Sequence, residues 1–302
     1  MAFESIADAA RRLSEAGYFA SPSVVTSVFL AARLEKPVLV EGPAGVGKTE
    51  LALATARATA RPLVRLQCYE GLDESRALYE WEYAKQLLYT QVLRDRIGET
   101  IRDAATLAEA VERIGESESA FFSERFLLPR PILRAILSEQ PSVLLVDEID
   151  KADPEFEAFL LEVLADFAVT IPEIGTFRAR HRPLVFLTSN AARELSDALR
   201  RRCLYLHIDY PSPAQELEIV RARVPGIGEA LARRLVEAVQ KLRQFDLKKV
   251  PSIAETVDWA RALVLLGASE LDVDTVSETL NLLLKHEGDA RRAMERYSEW
   301  AR

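Results

Sequence analysis

The residues of this 302-residue chain whose types and spacing can do chemistry begin with Gly42-Pro43-Ala44-Gly45-Val46-Gly47-Lys48-Thr49, followed by Glu50. Glycines let a backbone curl until its N–H groups converge on phosphate oxygens, and a helix starting at the end of the loop adds the partial positive charge of its N-terminus. Lys48 then neutralises the β and γ phosphates of a nucleotide, and the Thr49 hydroxyl ligates Mg2+. A glycine-rich turn that only caps a helix has no use for Lys-Thr at its end. Gly42 to Glu50 is therefore the expected ligand-binding stretch, with ATP and Mg2+ as cofactors.

A phosphate loop alone leaves kinases, GTP switches and motors open, so a second site has to decide. Val143-Leu144-Leu145-Val146-Asp147-Glu148 is an apolar run ending in two adjacent carboxylates. At the carboxyl end of a parallel strand these acids sit where open α/β sheets bind ligands. Asp147 is the expected Mg2+ partner and Glu148 the base that polarises the attacking water. Two acids imply hydrolysis rather than switching. Thr188-Ser189-Asn190 closes the next apolar run, and Asn190 can bond both a γ-phosphate and the water, or simply cap a turn. Arg200-Arg201-Arg202 ends a helical stretch, either as partners of the helix dipole or with one arginine reaching a neighbouring subunit's phosphate.

These side chains need elements to hold them. Pro37 to Val40, Leu63 to Cys68, Ser142 to Val146, Pro183 to Thr188 and Cys203 to Ile208 read as strands, the first suited to burial on both faces of a parallel sheet and the third and fourth also of buried type. Helical patterns alternate with them, over 1–18, from Ser21-Pro22-Ser23 onward, over Glu50 to Ala60 and over Pro154 to Asp166. The stretch 69–138 also reads as mostly helical, with the aromatics Tyr69, Tyr79, Trp81, Tyr83 and Tyr89 expected as core packing and acids near Glu112 to Glu118. After Asp209-Tyr210-Pro211-Ser212-Pro213 only helical periodicity remains, over 214–223, 227–245, 252–266, 272–286 and 288–301. The expectation is an α/β domain over 1–210 with a parallel five-stranded sheet flanked by helices, and a small all-α domain over 211–302. Thr170 to Phe177 carries turn residues between β-branched ones and predicts a hairpin inserted at about 167–182.

Composition excludes several classes. With 49% hydrophobic and 28% charged residues the chain is globular rather than disordered or low-complexity. Its apolar runs are far shorter than a membrane-spanning helix needs, and MAFESIADAARRLSEAG lacks the basic start and apolar core of a signal peptide, so a cytoplasmic protein is expected. A net charge of −8 makes nucleic acid an unlikely partner. Cys68 and Cys203 read as small apolar core residues, and His181, His207 and His286 have no metal-ligand spacing.

Phosphate loop, LLVDEID, TSN, the arginine cluster before the last strand and the helical C-terminal region together resemble an AAA+ ATPase of the MoxR group. Further stretches, among them QCYEGLDESRALYEWEYAKQLL, LLEVLADFAVTIPEIGTFRA and LTSNAARELSDALRRRCLYLHIDYP, are similar to its CoxD-like members. The resemblance covers nearly the whole chain. It implies a homo-oligomeric ring of six subunits with ATP between neighbours, a partner carrying a von Willebrand factor A domain, and a metalloenzyme client whose metal centre is being assembled. By position, Lys48 and Thr49 match Walker A, Asp147 and Glu148 Walker B, and Asn190 the first sensor. Arg202 aligns best with the arginine finger and Arg201 second. The hairpin resembles the helix-2 insert that points at the ring's pore, with Ile174 and Phe177 expected as exposed client contacts. Many AAA+ proteins place a sensor arginine early in a lid helix, whereas this chain reads Pro251-Ser252-Ile253-Ala254-Glu255-Thr256 there. Arg261 or a neighbour's residue is left for that role.

Overall fold

The computed structural model describes residues 2–92, 106, 123–172 and 174–301. Five strands, β1 (Val38–Glu41), β2 (Leu63–Gln67), β5 (Val143–Asp147), β8 (Leu184–Ser189) and β9 (Leu204–His207), form a parallel sheet in the order β2-β5-β8-β1-β9. Every residue of β1, β5 and β8 is buried, which is why each reads as an unbroken apolar run rather than an alternation. β2 lies at the sheet edge and alternates, leaving Arg65 and Gln67 exposed. Its register is set against β5, with Gln67 opposite Asp147. The five strands match the expected ones to within a residue or two at each end.

The chain divides into two compact units. One contains Met1–Ala60, Thr188–Ala192 and Cys203–Arg302. Its helices are α1 (Ile6–Glu15), α2 (Pro22–Leu34) and α3 (Lys48–Thr59), then, after β9, α9 (Pro213–Arg223), α10 (Glu229–Leu242), α11 (Ile253–Leu265), α12 (Val273–Leu283), α13 (Glu287–Glu295) and α14 (Tyr297–Trp300). The C-terminal helices close over Leu235, Val239, Leu263, Trp259 and Trp300. Both indole N–H groups are satisfied, Trp259 Nε1 donating to Thr279 Oγ1 and Trp300 Nε1 to the Ala293 carbonyl, each at 2.8 Å. Below them Arg243, 7% exposed, meets the fully buried Glu216 with both terminal nitrogens at 2.6 Å. The single helix expected over 288–301 is broken at Arg296, whose φ of −112° and ψ of 26° are not helical. In α1 only Ala9 and Leu13 are buried, and Ile6 and Ala10 are exposed.

The other unit contains Arg61–Leu187 and Arg193–Arg202. Here the helical expectation for 69–138 is corrected. α4 (Glu74–Leu78), α5 (Tyr83–Val92) and α6 (Pro131–Ile136) are helical, but β3 (Tyr79–Trp81) and β4 (Leu127–Pro129) form an antiparallel pair. Three-residue strands are too short to print an alternation, and their partners lie far apart in sequence. The acids near 112–118 lie outside the described residues. The aromatics are also not a core: Tyr69 is 43% and Tyr83 67% exposed, while half-buried Tyr79 and Trp81 meet edge to face at 5.9 Å. α7 (Pro154–Asp166) starts on Pro154, which suits a first helical position. β6 (Ala168–Ile171) and β7 (Gly175–Arg178) pair antiparallel as the expected hairpin, with Gly175 at φ 122°. Ile174 and Phe177 are half-buried there rather than exposed, which corrects that expectation. α8 (Asp197–Arg202) closes the unit.

Candidate nucleotide site

In the first unit the phosphate loop joins β1 to α3 and contains Gly42, Gly45 and Gly47 at φ 154°, 77° and 101°. A Cβ on Gly42 would lie 1.9 Å from the Ile208 carbonyl oxygen, and one on Gly45 would lie 2.3 Å from Ser252 Cβ. Only glycine lets the backbone take this curl and approach so closely. α3 begins at Gly47 without a side-chain cap, so its dipole end opens onto the loop. Inside the curl lies Lys48, 6% exposed. Its ammonium donates to the Gly42 and Pro43 carbonyls at 2.7 Å each and to Asn190 Oδ1 at 2.8 Å. Lys48 and Asn190, 142 residues apart in sequence, thus meet in the structure. Ala44 is exposed, Val46 is buried, and Thr49 stands half-buried in the first turn of α3.

Beside the loop opens a cavity of about 550 Å3 lined by Tyr18, Phe19, Gly45, Gly47, Tyr210 and Arg261, among others. That volume lies in the range that holds one small ligand. Glu50 and Arg223 also line it, and the Glu50 carboxylate accepts from Arg223 at 2.7 Å and from Arg57 at 2.6 Å. Glu50 is therefore a neutralised wall residue rather than a bare anion. Burial, and then the Glu50 charge, push the Tyr18 phenol above its ordinary pKa, so it is a neutral hydrogen-bonding group at any physiological pH. Arg261, the residue left open as a lid sensor, pairs with Asp258 at 3.4 Å on this wall. Sequence reasoning missed Tyr18, Phe19, Tyr210 and Arg223. The only signal was an aromatic pair after Gly17, since the wall is assembled from segments distant in the chain.

The second unit holds Asp147, Glu148, Arg201 and Arg202. Asp147 ends β5 at 2% exposure and accepts from Arg65 Nη2 at 2.6 Å. Glu148 follows at φ 58° and ψ 50°, a left-handed conformation that costs a non-glycine residue roughly 1 kcal/mol. That turn carries its carboxylate off the strand axis, where Oε2 accepts from Gln67 Nε2 at 2.8 Å and Lys151 Nζ at 2.6 Å. Arg201 and Arg202 are exposed at the end of α8, and Arg202 Nη1 donates to the Leu161 carbonyl at 3.1 Å. Burial, joined by the charges of Asp147, Asp150 and Glu148, raises the thiol of Cys68 to about 12. Burial alone raises that of Cys203, which is half-buried rather than core, to about 12. Both thiols are unreactive at neutral pH.

The residues fit a Mg–nucleotide. The curl that a Cβ on Gly42 or Gly45 would fill and the buried ammonium suit phosphate oxygens, and the Thr49 hydroxyl in the same unit is a hard oxygen donor of the kind Mg2+ prefers. Among the described residues no cluster of three or more His, Cys, Asp or Glu forms a metal cage. Mg2+ needs none, because it keeps waters and takes substrate phosphates alongside one or two carboxylates.

Comparison with known proteins places this geometry in a family. The model of the AAA domain, dynein-related subfamily, matches residues 37–203, from before β1 to the end of α8. The gas vesicle ATPase GvpN of Ancylobacter aquaticus is 24% identical over 76% of this chain and 61% of its own length. Protein NorQ of Paracoccus denitrificans is 26% identical over 70% of this chain and 67% of its own. The denitrification regulatory protein NirQ of Pseudomonas aeruginosa is 24% identical over 75% of this chain and 76% of its own. The chain thus spans about three fifths of the GvpN relative and two thirds of NorQ. A mutant RuvB of Thermotoga maritima shares the fold, with a TM-score of 0.50 and 16% identity over 98% of this chain and 79% of that one. With more than half its length matched to that model, and with these relatives, the chain belongs to the AAA domain family, dynein-related subfamily, as an AAA+ protein of MoxR type.

Proposed function

We propose that this protein is an AAA+ ATPase that hydrolyses ATP with Mg2+ in a homo-oligomeric ring and uses the cycle to remodel a protein client. The observation that carries the reading is the Lys48 ammonium, buried in the glycine curl and hydrogen-bonded to Asn190. In this reading the loop N–H groups and Lys48 hold the β and γ phosphates, and Asn190 orients the attacking water. Glu148 takes a proton from that water. Thr49 and Asp147 are the residues that would hold Mg2+, which when bound would supply positive charge to the phosphates. The exposed position of Arg201 and Arg202 suits a finger offered to a neighbouring subunit, with Arg202 the first choice.

The client side of the proposal rests on similarity. Relatives named for gas vesicles and for denitrification support an assembly or activation task, and the CoxD-like stretches narrow it to maturation of a metalloenzyme with a von Willebrand factor A partner. Among the described residues no helix is long and apolar enough to cross a membrane. A cytoplasmic site of action belongs to the same proposal.

Lys48→Ala removes the buried ammonium and is expected to abolish ATP binding in calorimetric titration. Glu148→Gln leaves binding intact and lowers turnover by a factor of 10² or more, the scale of a lost general base. Wild-type turnover in Glu148→Gln would show that another group acts as base. Failure of the wild-type protein to bind ATP at all would end the proposal.

A further inference from the structure

Both ends of the short helix that carries Arg201 and Arg202 are held by α7. α8 has six residues, of which only Leu199 is buried, and a helix that short has no stability of its own, so its direction comes from whatever holds it. At its start the backbone N–H of Ser196 donates to Glu157 Oε2 at 3.0 Å, and at its end Arg202 Nη1 donates to the Leu161 carbonyl at 3.1 Å. Glu157 and Leu161 stand about one helical turn apart along α7. The second oxygen of the same carboxylate, Oε1, lies 2.5 Å from Arg193 Nη1, and Arg193 Nη2 donates to the Ala152 carbonyl just ahead of α7 at 2.6 Å. Glu157 is 2% exposed. Apolar residues of similar volume often hold two elements together as well as a buried ion pair does, whereas hydrogen bonds to both carboxylate oxygens also fix direction.

Resting on the reading that an arginine at the end of α8 meets a neighbouring subunit's phosphate, we propose that Glu157 is a positioning residue for that arginine. Its carboxylate fixes the first backbone N–H of α8 and, through Arg193, the stretch that leads into it, so the last turn emerges from α7 in one direction. A start that slipped by one residue would turn every side chain of α8 by about 100° and carry Arg202 away from where a neighbour meets it. Lys48, Thr49 and Asn190 belong to the other compact unit. Loss of the Glu157 carboxylate therefore impairs hydrolysis in the adjoining subunit and spares nucleotide binding in its own.

ATPase rates of mixed full-length subunits locate the defect. Glu157→Ala alone is expected to keep KM for ATP and to lower kcat by about tenfold or more, within the hundredfold that a misplacement of about 1 Å can cost. Mixed with Lys48→Ala, whose own site is empty but whose arginines are intact, it should regain turnover to the level of a control mixture of Arg202→Ala with Lys48→Ala. Mixed with Arg202→Ala it should regain none, because neither subunit then presents a well-placed arginine. A merely structural loss in Glu157→Ala would weaken its own nucleotide site and would not be repaired by a neighbour. Should Glu157→Ala not fold by circular dichroism, Glu157→Gln, which keeps the volume, is read in the same mixtures with the same restoration expected. Full kcat in the folded variant, no restoration by Lys48→Ala while the control mixture recovers, or restoration by Arg202→Ala overturns the role of Glu157 and leaves the ATPase reading standing. Failure of the control mixture to recover overturns the shared-site reading instead.

Discussion

Gly45 and Gly71 have the same backbone twist, φ 77°, yet their surroundings differ completely. A Cβ on Gly45 runs into Ser252 at 2.3 Å, whereas around Gly71 nothing lies within 4 Å. Gly71→Ala should therefore cost only the left-handed strain of about 1 kcal/mol and leave nucleotide affinity alone. Gly45→Ala adds a collision in the phosphate cradle and should weaken ATP binding at least tenfold. Paired thermal melts and titrations distinguish the two, and equal effects on affinity would show that conformation alone, without the close approach of Ser252, governs the loop. The glycine-rich pattern announces which positions need freedom; it is silent about what each one makes room for.

At the level of elements, the C-terminal helices hang on a buried ion pair. Arg243 on the end of α10 meets Glu216 of α9, and its Nε donates to the Pro251 carbonyl just before α11 at 2.9 Å. Glu216 also accepts from Gln240 Nε2 at 2.7 Å and Thr256 Oγ1 at 2.9 Å. Breaking one side of such a pair strands a buried charge, so Arg243→Ala should destabilise this helical region by about 3–5 kcal/mol in urea denaturation. A change within experimental error would mean that water reaches Glu216 readily. The hairpin of β6 and β7 makes a different prediction. Ile174 and Phe177 keep part of their apolar surface uncovered, and on the proposal that this hairpin meets the client a double alanine variant should lose client activation and keep basal ATPase activity. Intact client activation would remove the hairpin from the mechanism.

For the whole molecule, the exposed Arg201 and Arg202 matter only if another subunit supplies the phosphate they meet. Specific ATPase activity should then rise with protein concentration, in step with a mass increase by light scattering in the presence of ATP. Arg202→Ala should bind ATP and assemble, yet turn over at least 10³-fold more slowly, the lower end of what arginine fingers contribute. A rate independent of concentration in a persistent monomer would remove the trans-acting arginine and with it the ring.

Much of this was legible in the chain itself. A phosphate loop is a contiguous run, and strands buried on both faces are contiguous apolar runs, so local pattern suffices to locate Lys48, Thr49, Asp147 and Glu148. The pairing of Lys48, at the start of α3, with Asn190, just after β8, was not legible there. What local pattern does not encode is which distant segments meet. The register of β2 on β5 brings Arg65 to Asp147 and Gln67 to Glu148 across 82 and 81 residues. The approach of Ser252 to Gly45, the cavity wall of Tyr18, Tyr210 and Arg223, and the pairing of β3 with β4 were likewise decided only by tertiary packing. Each depends on non-local contacts whose energy appears only when the chain is already folded.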